Sequence, residues 1–242
     1  RGSDMVDWLH RCDHTVAEVQ AADLVHQMLT ALQYLHRTAG ALHRDIKFDN
    51  FGFSRSVVPN APLPPLKLFD FGLAWVLPEL VTTDTAFKLH KLGMCGTLLW
   101  LAPETFRGMS GPPSDIWGIG VALHSLLTFQ WPFGLEEFEE CSLDDFRGLA
   151  KAVNTRGIDF QTASWRHISP GAQEFVVGLL SKSPARRMTT DQALAEPWLV
   201  YPQDDTPSPH RKISSVASQR KGNRDSMFWG DLASVGLFAS DN

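Results

Sequence analysis

The stretch "ALHRDIKFDN", residues 41–50, places two basic residues, two carboxylates and an amide between apolar neighbours. Asp45 is a carboxylate that can orient a hydroxyl, and Lys47 is a cation that can meet phosphate charge. Asn50 and, twenty residues later, Asp70 in "DFG" (70–72) add hard oxygen ligands of the kind that suit magnesium beside nucleotide phosphates. In this order the four are the parts that phosphoryl transfer requires. Taken singly each has a plainer reading: Asp45 as a helix-flanking cap, Lys47 as a solvated charge.

Those side chains need elements to position them. Thr15 and Glu18 have the spacing of a capping box, and Val25, Met28, Leu29, Leu32 and Leu35 follow at helical intervals, which predicts an amphipathic helix from about Thr15 to His36. Two β-type runs, "NFGFS" (50–54) and "LKLFDFG" (66–72), flank the proline-rich "VVPNAPLPP" and predict paired strands joined by a surface loop. The cluster therefore sits between a helix and a small hairpin. Residues 114–127, "SDIWGIGVALHSLL", are apolar nearly all round, as in a helix buried on every side. Ser169 with Pro170, and Thr189 with Gln192, mark further helix starts. The fold class is α+β and mostly α-helical. Beyond Trp198 the chain turns to "YPQDDTPSPHRKISSVASQRKGNRDS", which has too little apolar surface to fold alone, so a boundary falls near residue 200 and 201–242 reads as a disordered tail.

A net charge of −5 gives no ground for a nucleic-acid or membrane surface. Cys12, Cys95 and Cys141 are odd in number and widely spaced, which fits neither a disulfide framework nor a zinc site and points to a reducing compartment. No apolar run approaches the ~20 residues of a membrane span. The expected location is intracellular: the cytoplasm, with the nucleus also open.

"HRDIKFDN" resembles the catalytic loop of eukaryotic protein kinases, "DFG" the start of their activation segment and "APE" (102–104) its end, in the family's order. "SDIWGIGV" (114–121) resembles the buried helix whose aspartate, here Asp115, braces the catalytic loop. "SPARRMTTDQALAEPWL" (183–199) resembles the closing segment, in which Arg187 pairs with Glu104 of the APE motif. The resemblance covers residues 1–200 and implies a protein-kinase C-lobe with a small β-hairpin at the catalytic cleft. It implies ATP and Mg²⁺ as cofactors, with Asp45 and Lys47 catalytic and Asn50 and Asp70 binding the metal.

Lys47 is typical of serine/threonine kinases, and "IDFQTASWRHISPGAQEFVVGLLSKSPARRMT" (158–189) is similar to the calcium- and calmodulin-dependent branch. The resemblance further implies that His43 and Phe71 stack in a column between lobes, with Gly72 completing the DFG turn. Arg44 would answer a phosphate on the activation segment, with Thr82, Thr83 and Thr85 as acceptors. Thr97 in "CGT" would contact the catalytic loop. Asp4 and Asp49 fall where acids bind substrate arginines, so the expected partners are Ser/Thr protein substrates with arginine-containing motifs. In the tail, "RKISS" (211–215) has an Arg-x-x-Ser pattern open to an autophosphorylation or pseudosubstrate reading, against the plainer one of a disordered tail, and the series Phe228, Leu232 and Val235 invites a calmodulin-target or autoinhibitory reading.

The family also uses a glycine-rich loop, a strand lysine and a helix glutamate, none of which matches here. "GSDMVDWLHR" (2–11) resembles the segment just after the hinge, so the expectation is a chain with its N-lobe missing. Phe48 stands in place of the usual proline, and Gly52 in place of the bulky residue under the adenine. Two readings compete: a piece of an active serine/threonine kinase with little activity alone, or a non-catalytic lobe acting as a protein-binding or scaffold module.

Overall fold

The computed structural model describes residues 5–12, 16–58, 61–138 and 146–200. Apolar spacing near the start of the chain becomes two helices, α1 (Met5–His10) and α2 (Glu18–Tyr34), with Leu24, Val25, Met28, Leu29 and Leu32 on the buried face of the second. A π-helical turn, Leu35–Ala39, extends α2 and stops at Gly40, whose φ of 64° is one that a side chain would strain.

The start of α2 differs from the expected capping box. Thr15 lies outside the described residues, and Gln20 rather than Glu18 folds back, its Oε1 accepting from Ala17 N–H at 3.4 Å. Glu18 is buried and accepts from Ser169 N–H (2.6 Å), Ser169 Oγ–H (2.7 Å) and Trp198 Nε1–H (3.0 Å). A buried carboxylate needs such donors, so Glu18 ties the first long helix to the last third of the chain.

Three antiparallel two-stranded ribbons follow: β1 (Ala41–Leu42) with β4 (Trp75–Val76), β2 (Phe51–Phe53) with β3 (Leu66–Leu68), and β5 (His90–Lys91) with β6 (Met109–Ser110). The expected hairpin is β2–β3, in the register Phe51↔Leu68, Gly52↔Lys67, Phe53↔Leu66. Next comes α3 (Pro112–Thr128), begun by Pro112 at its first position and buried along almost its whole length. Its glycines are where other parts come close: a Cβ on Gly118 would stand 2.7 Å from Ile46, and one on Gly120 2.7 Å from the Leu180 side chain.

Helices α4 (Phe146–Thr155), α5 (Pro170–Leu179), α6 (Thr190–Leu194) and α7 (Pro197–Val200) complete the described fold. Ser169 caps α5 by accepting from Ala172 N–H, and Thr189 with Gln192 forms a reciprocal capping box on α6. One core runs through α1, α2, α3 and α5, while Leu42, Leu77, Val81 and Ala86 make a smaller one under the segment between β4 and β5. Among the described residues no helix is long and apolar enough to cross a membrane.

His124 gives this core a pH dependence. It is buried in α3, with Nδ1 donating to Gln130 O at 3.0 Å, and burial pushes its pKa down to about 4. Its pKa in the unfolded chain is about 6.5, so the unfolded state binds more protons between pH 6.5 and 4 and stability falls as pH falls through that window. The loss from this group is expected to reach about 3 kcal/mol near pH 4. Urea unfolding at a series of pH values reads it, and His124→Gln should flatten that limb. Equal slopes in wild type and variant would refute the assignment.

Candidate functional site

The loop after β1 bends through a residue that should resist bending. Arg44 has φ 70°, which costs a side-chain-bearing residue free energy. Asp115 of α3 holds it there: Oδ1 accepts from Arg44 N–H at 2.8 Å, and Oδ2 accepts from His43 N–H at 2.9 Å and from His36 Nε2–H at 2.8 Å. Burial would raise the pKa of Asp115, but the His36 bond, the electrostatic pull of the His36 and His43 rings and the His43 amide outweigh it and hold the carboxyl below its usual range. His43 is fixed in turn, Nε2 donating to Phe69 O (2.9 Å) while Nδ1 accepts from Asp45 N–H (3.3 Å).

Four polar side chains meet just beyond. Lys47 Nζ donates to Thr97 Oγ1 (2.8 Å) and stands 3.4 Å from Asp45 Oδ2. Thr97 Oγ1 donates to Asp45 Oδ1 (2.8 Å), and Asn50 Nδ2 donates to Asp45 O (2.7 Å) and Oδ2 (3.2 Å). Thr97 reaches this loop because Gly96 has φ 110° and no side chain; a Cβ there would lie 2.8 Å from Arg44 O. The β2–β3 ladder brings up the second carboxylate: Phe69 N–H donates to Asn50 O at 2.9 Å, and Asp70 follows it with φ 59°. Asp70 is exposed, with Oδ1 accepting from Gly72 N–H at 3.2 Å. Among the described residues nothing donates to Asn50 Oδ1 or Asp70 Oδ2, hard oxygens of the type that magnesium takes.

A second pair locks the base of the site. Arg187, 1% exposed, makes a two-pronged bond to Glu104 (2.6 and 2.9 Å) and donates to Pro113 O and Ser181 O, while Ser114 Oγ donates to Glu104 Oε1. The family model for the protein kinase domain matches residues 1–199. The chain belongs to that family. It is 36% identical over 192 residues to the calcium/calmodulin-dependent protein kinase cmkB of Emericella nidulans, covering 78% of this chain and 43% of that protein. Calcium/calmodulin-dependent protein kinase type IV of Rattus norvegicus is 34% identical over 185 residues (76% and 35%), and CDPK-related kinase 7 of Arabidopsis thaliana 32% over 201 (83% and 31%). The chain spans less than half the length of these curated relatives.

In this protein kinase domain the structure brings together Asp45, Lys47, Asn50 and Thr97, while Asp70 is joined to them through the backbone bond of its neighbour Phe69 to Asn50 O. His43 and Phe71 meet edge to face at 5.2 Å, with Phe71 51% exposed. Arg44 is not brought together with Thr82, Thr83 or Thr85: its Nη2 donates to Leu92 O. Those threonines belong to a separate turn, in which Thr85 Oγ1 accepts from Thr82 N–H (2.8 Å) and donates to Leu80 O, spanned by the Glu79–Lys88 ion pair. Asp49 is exposed on the short 3₁₀ turn Phe48–Asn50, and Asp4 lies outside the described residues. Cys95 is buried, and burial pushes its thiol up. Sequence reasoning missed His36, whose partner Asp115 is 79 residues away, and Glu18. No local pattern marks either long-range bond.

Proposed function

We propose that the protein is a serine/threonine protein kinase that transfers the γ-phosphate of ATP to seryl or threonyl hydroxyls of protein substrates. The observation that carries this reading is the double fixing of Asp45: Thr97 holds one carboxylate oxygen, Asn50 the other, and the Lys47 ammonium stands at 3.4 Å. A carboxylate so held can accept the substrate hydroxyl's proton as the hydroxyl oxygen bonds to phosphorus and ADP leaves, while Lys47 faces the transferred charge. Magnesium, held by Asn50 and Asp70, would neutralise the phosphates.

Several finer readings go with this one. Lys47, placed as in serine/threonine members, favours alcohol acceptors over tyrosine. Exposed Asp49, with Asp4, would meet substrate arginines. Arg44, whose buried Nε has no hydrogen-bond partner among the described residues, keeps a donor for a phosphorylated activation segment. Residues 1–200 would form the C-lobe with its hairpin at the cleft, and 201–242 a tail open to calmodulin or another regulator, in an intracellular, cytoplasmic or nuclear setting. The scaffold reading draws on one feature, an open apolar groove along α2 lined by Tyr34, Leu35, Leu68 and Phe71, two of which are more than half exposed.

The 242 residues hold no match to the family's glycine-rich loop, strand lysine and helix glutamate, so the chain alone has only one wall of a nucleotide cleft. The product of the complete transcript, given labelled ATP, Mg²⁺ and an arginine-containing serine peptide, is expected to yield phosphoserine or phosphothreonine, with the 242-residue chain at background. Phosphotyrosine as the product, or robust transfer by the chain alone, would overturn this account.

A further inference from the structure

Lys47 and Thr97 approach Asp45 from two separate stretches of chain, and each stretch makes the same short turn. Phe48–Asn50 is a 3₁₀ turn in which Asn50 N–H donates to Lys47 O at 3.2 Å; Leu98–Trp100 is another, in which Trp100 N–H donates to Thr97 O at 2.9 Å. A functional side chain stands immediately before each turn, and a buried aromatic ring stands within it. The two rings meet: Phe48 and Trp100 lie edge to face at 5.1 Å and 85°. The hydrogen bonds of Thr97 Oγ1 with Lys47 and Asp45, both 2.8 Å, join the same two stretches.

Trp100 is held in its turn. It meets Trp131 edge to face at 5.4 Å, and Trp131 N–H donates to Glu136 Oε1 at 2.9 Å. Two residues on, Phe133 stacks on Trp117 of α3 at 5.6 Å and 22°. The same helix braces the catalytic loop directly, through Asp115 and through Gly118, against which Ile46 packs. Phe48 is 0% exposed, and it stands where the family usually has proline. A proline ring fixes φ, whereas phenylalanine leaves the backbone free, so this turn depends on what its side chain touches. An edge-to-face contact favours one separation and one tilt of the rings, which an aliphatic side chain of similar volume does not.

We propose that Phe48 is a positioning residue: seated edge-on against Trp100, it sets the spacing between the catalytic loop and the stretch that carries Thr97, and so keeps Lys47 and Thr97 within reach of Asp45. The proposal rests on the phosphoryl-transfer reading of the site and adds what holds its two halves together. Both rings are buried, so they act through Lys47 and Thr97 rather than on the substrate.

The test pairs kinetics of the complete transcript's product with NMR of the 242-residue chain labelled at its threonine methyls and lysine ammonium nitrogens. Phe48→Leu keeps apolar volume and drops the ring. It should lower kcat about 10–100-fold at an unchanged KM for Mg·ATP and shift the Thr97 methyl and Lys47 Nζ signals, in a chain that still unfolds cooperatively. Trp100→Leu should do the same, and the double variant should lose no more than the worse single one, because the rings act as a unit. Trp100→Phe keeps a ring and should retain most of kcat. Should Phe48→Leu fail to fold, Trp100→Leu against Trp100→Phe makes the same comparison. Wild-type kcat in the leucine variants, additive losses in the double variant, or unmoved Thr97 and Lys47 signals would overturn the positioning role while leaving phosphoryl transfer standing. A wild type that transfers no phosphate would instead remove the reaction reading, and the two NMR signals would then decide alone whether the rings hold Lys47 to Thr97.

Discussion

Asp45→Ala in the product of the complete transcript should lower phosphoryl transfer by about 10²–10⁴-fold, the usual worth of a positioned general base. The loss should fall on kcat. On the proposed reading Asn50 and Asp70 would still offer their oxygens to the metal, so the nucleotide should bind without the Asp45 carboxylate. Stability should fall as well, because the buried Thr97 hydroxyl loses its acceptor and the Lys47 ammonium its counter-charge, while Asn50 Nδ2 keeps Asp45 O. The amide variant is a poor substitute: an asparagine nitrogen in place of Oδ2 would face Asn50 Nδ2 at 3.2 Å and Lys47 Nζ at 3.4 Å, donors against a donor. Single-turnover rates under saturating Mg·ATP, with thermal unfolding as the control for folding, make the measurement. A kcat within a few-fold of wild type would reduce Asp45 to a structural anchor of the loop.

The features legible in the sequence are those whose physics is local or strongly periodic. The apolar run at 114–127 has no polar face, and it became the buried α3; Ser169–Pro170 and Thr189–Gln192 carry capping chemistry within one turn, and each begins a helix. The hairpin was legible because two β-type runs flank a proline-rich loop. Ribbons β1–β4 and β5–β6 were not, since strands of two residues are too short to show a period. Glu18 shows the other limit. Its spacing from Thr15 satisfies a capping rule, yet Ser169, 151 residues away, takes the carboxylate into the core, and a long-range bond leaves no trace in local spacing. The polar cluster was legible as an ordered set of residue types. That Thr97 and Asn50 hold opposite oxygens of Asp45, and that Asp115 holds the left-handed Arg44, depends on chain crossings that only the fold supplies.

Arg187→Met is expected to cost about 3–5 kcal/mol of stability, because it strands a charge that the fold has already taken out of water. Glu104 is 4% exposed and receives both guanidinium prongs, with Ser114 Oγ–H as its remaining side-chain donor. Removing the arginine also leaves Pro113 O and Ser181 O without the donors they accept from, and takes away the cation lying 5.0 Å from the Trp117 ring. The pair itself need not be net stabilising, since two buried charges cost nearly what their attraction returns. The double variant Arg187→Met/Glu104→Gln separates these effects: the neutral amide can still accept from Ser114, no charge is left unpaired, and the pair should recover a large part of the loss. Urea unfolding of the four species gives the coupling directly. A single-variant cost below about 1 kcal/mol would mean that Glu104 finds water or a proton when the arginine leaves, and that the lock between the APE motif and the closing segment is much weaker than its burial implies.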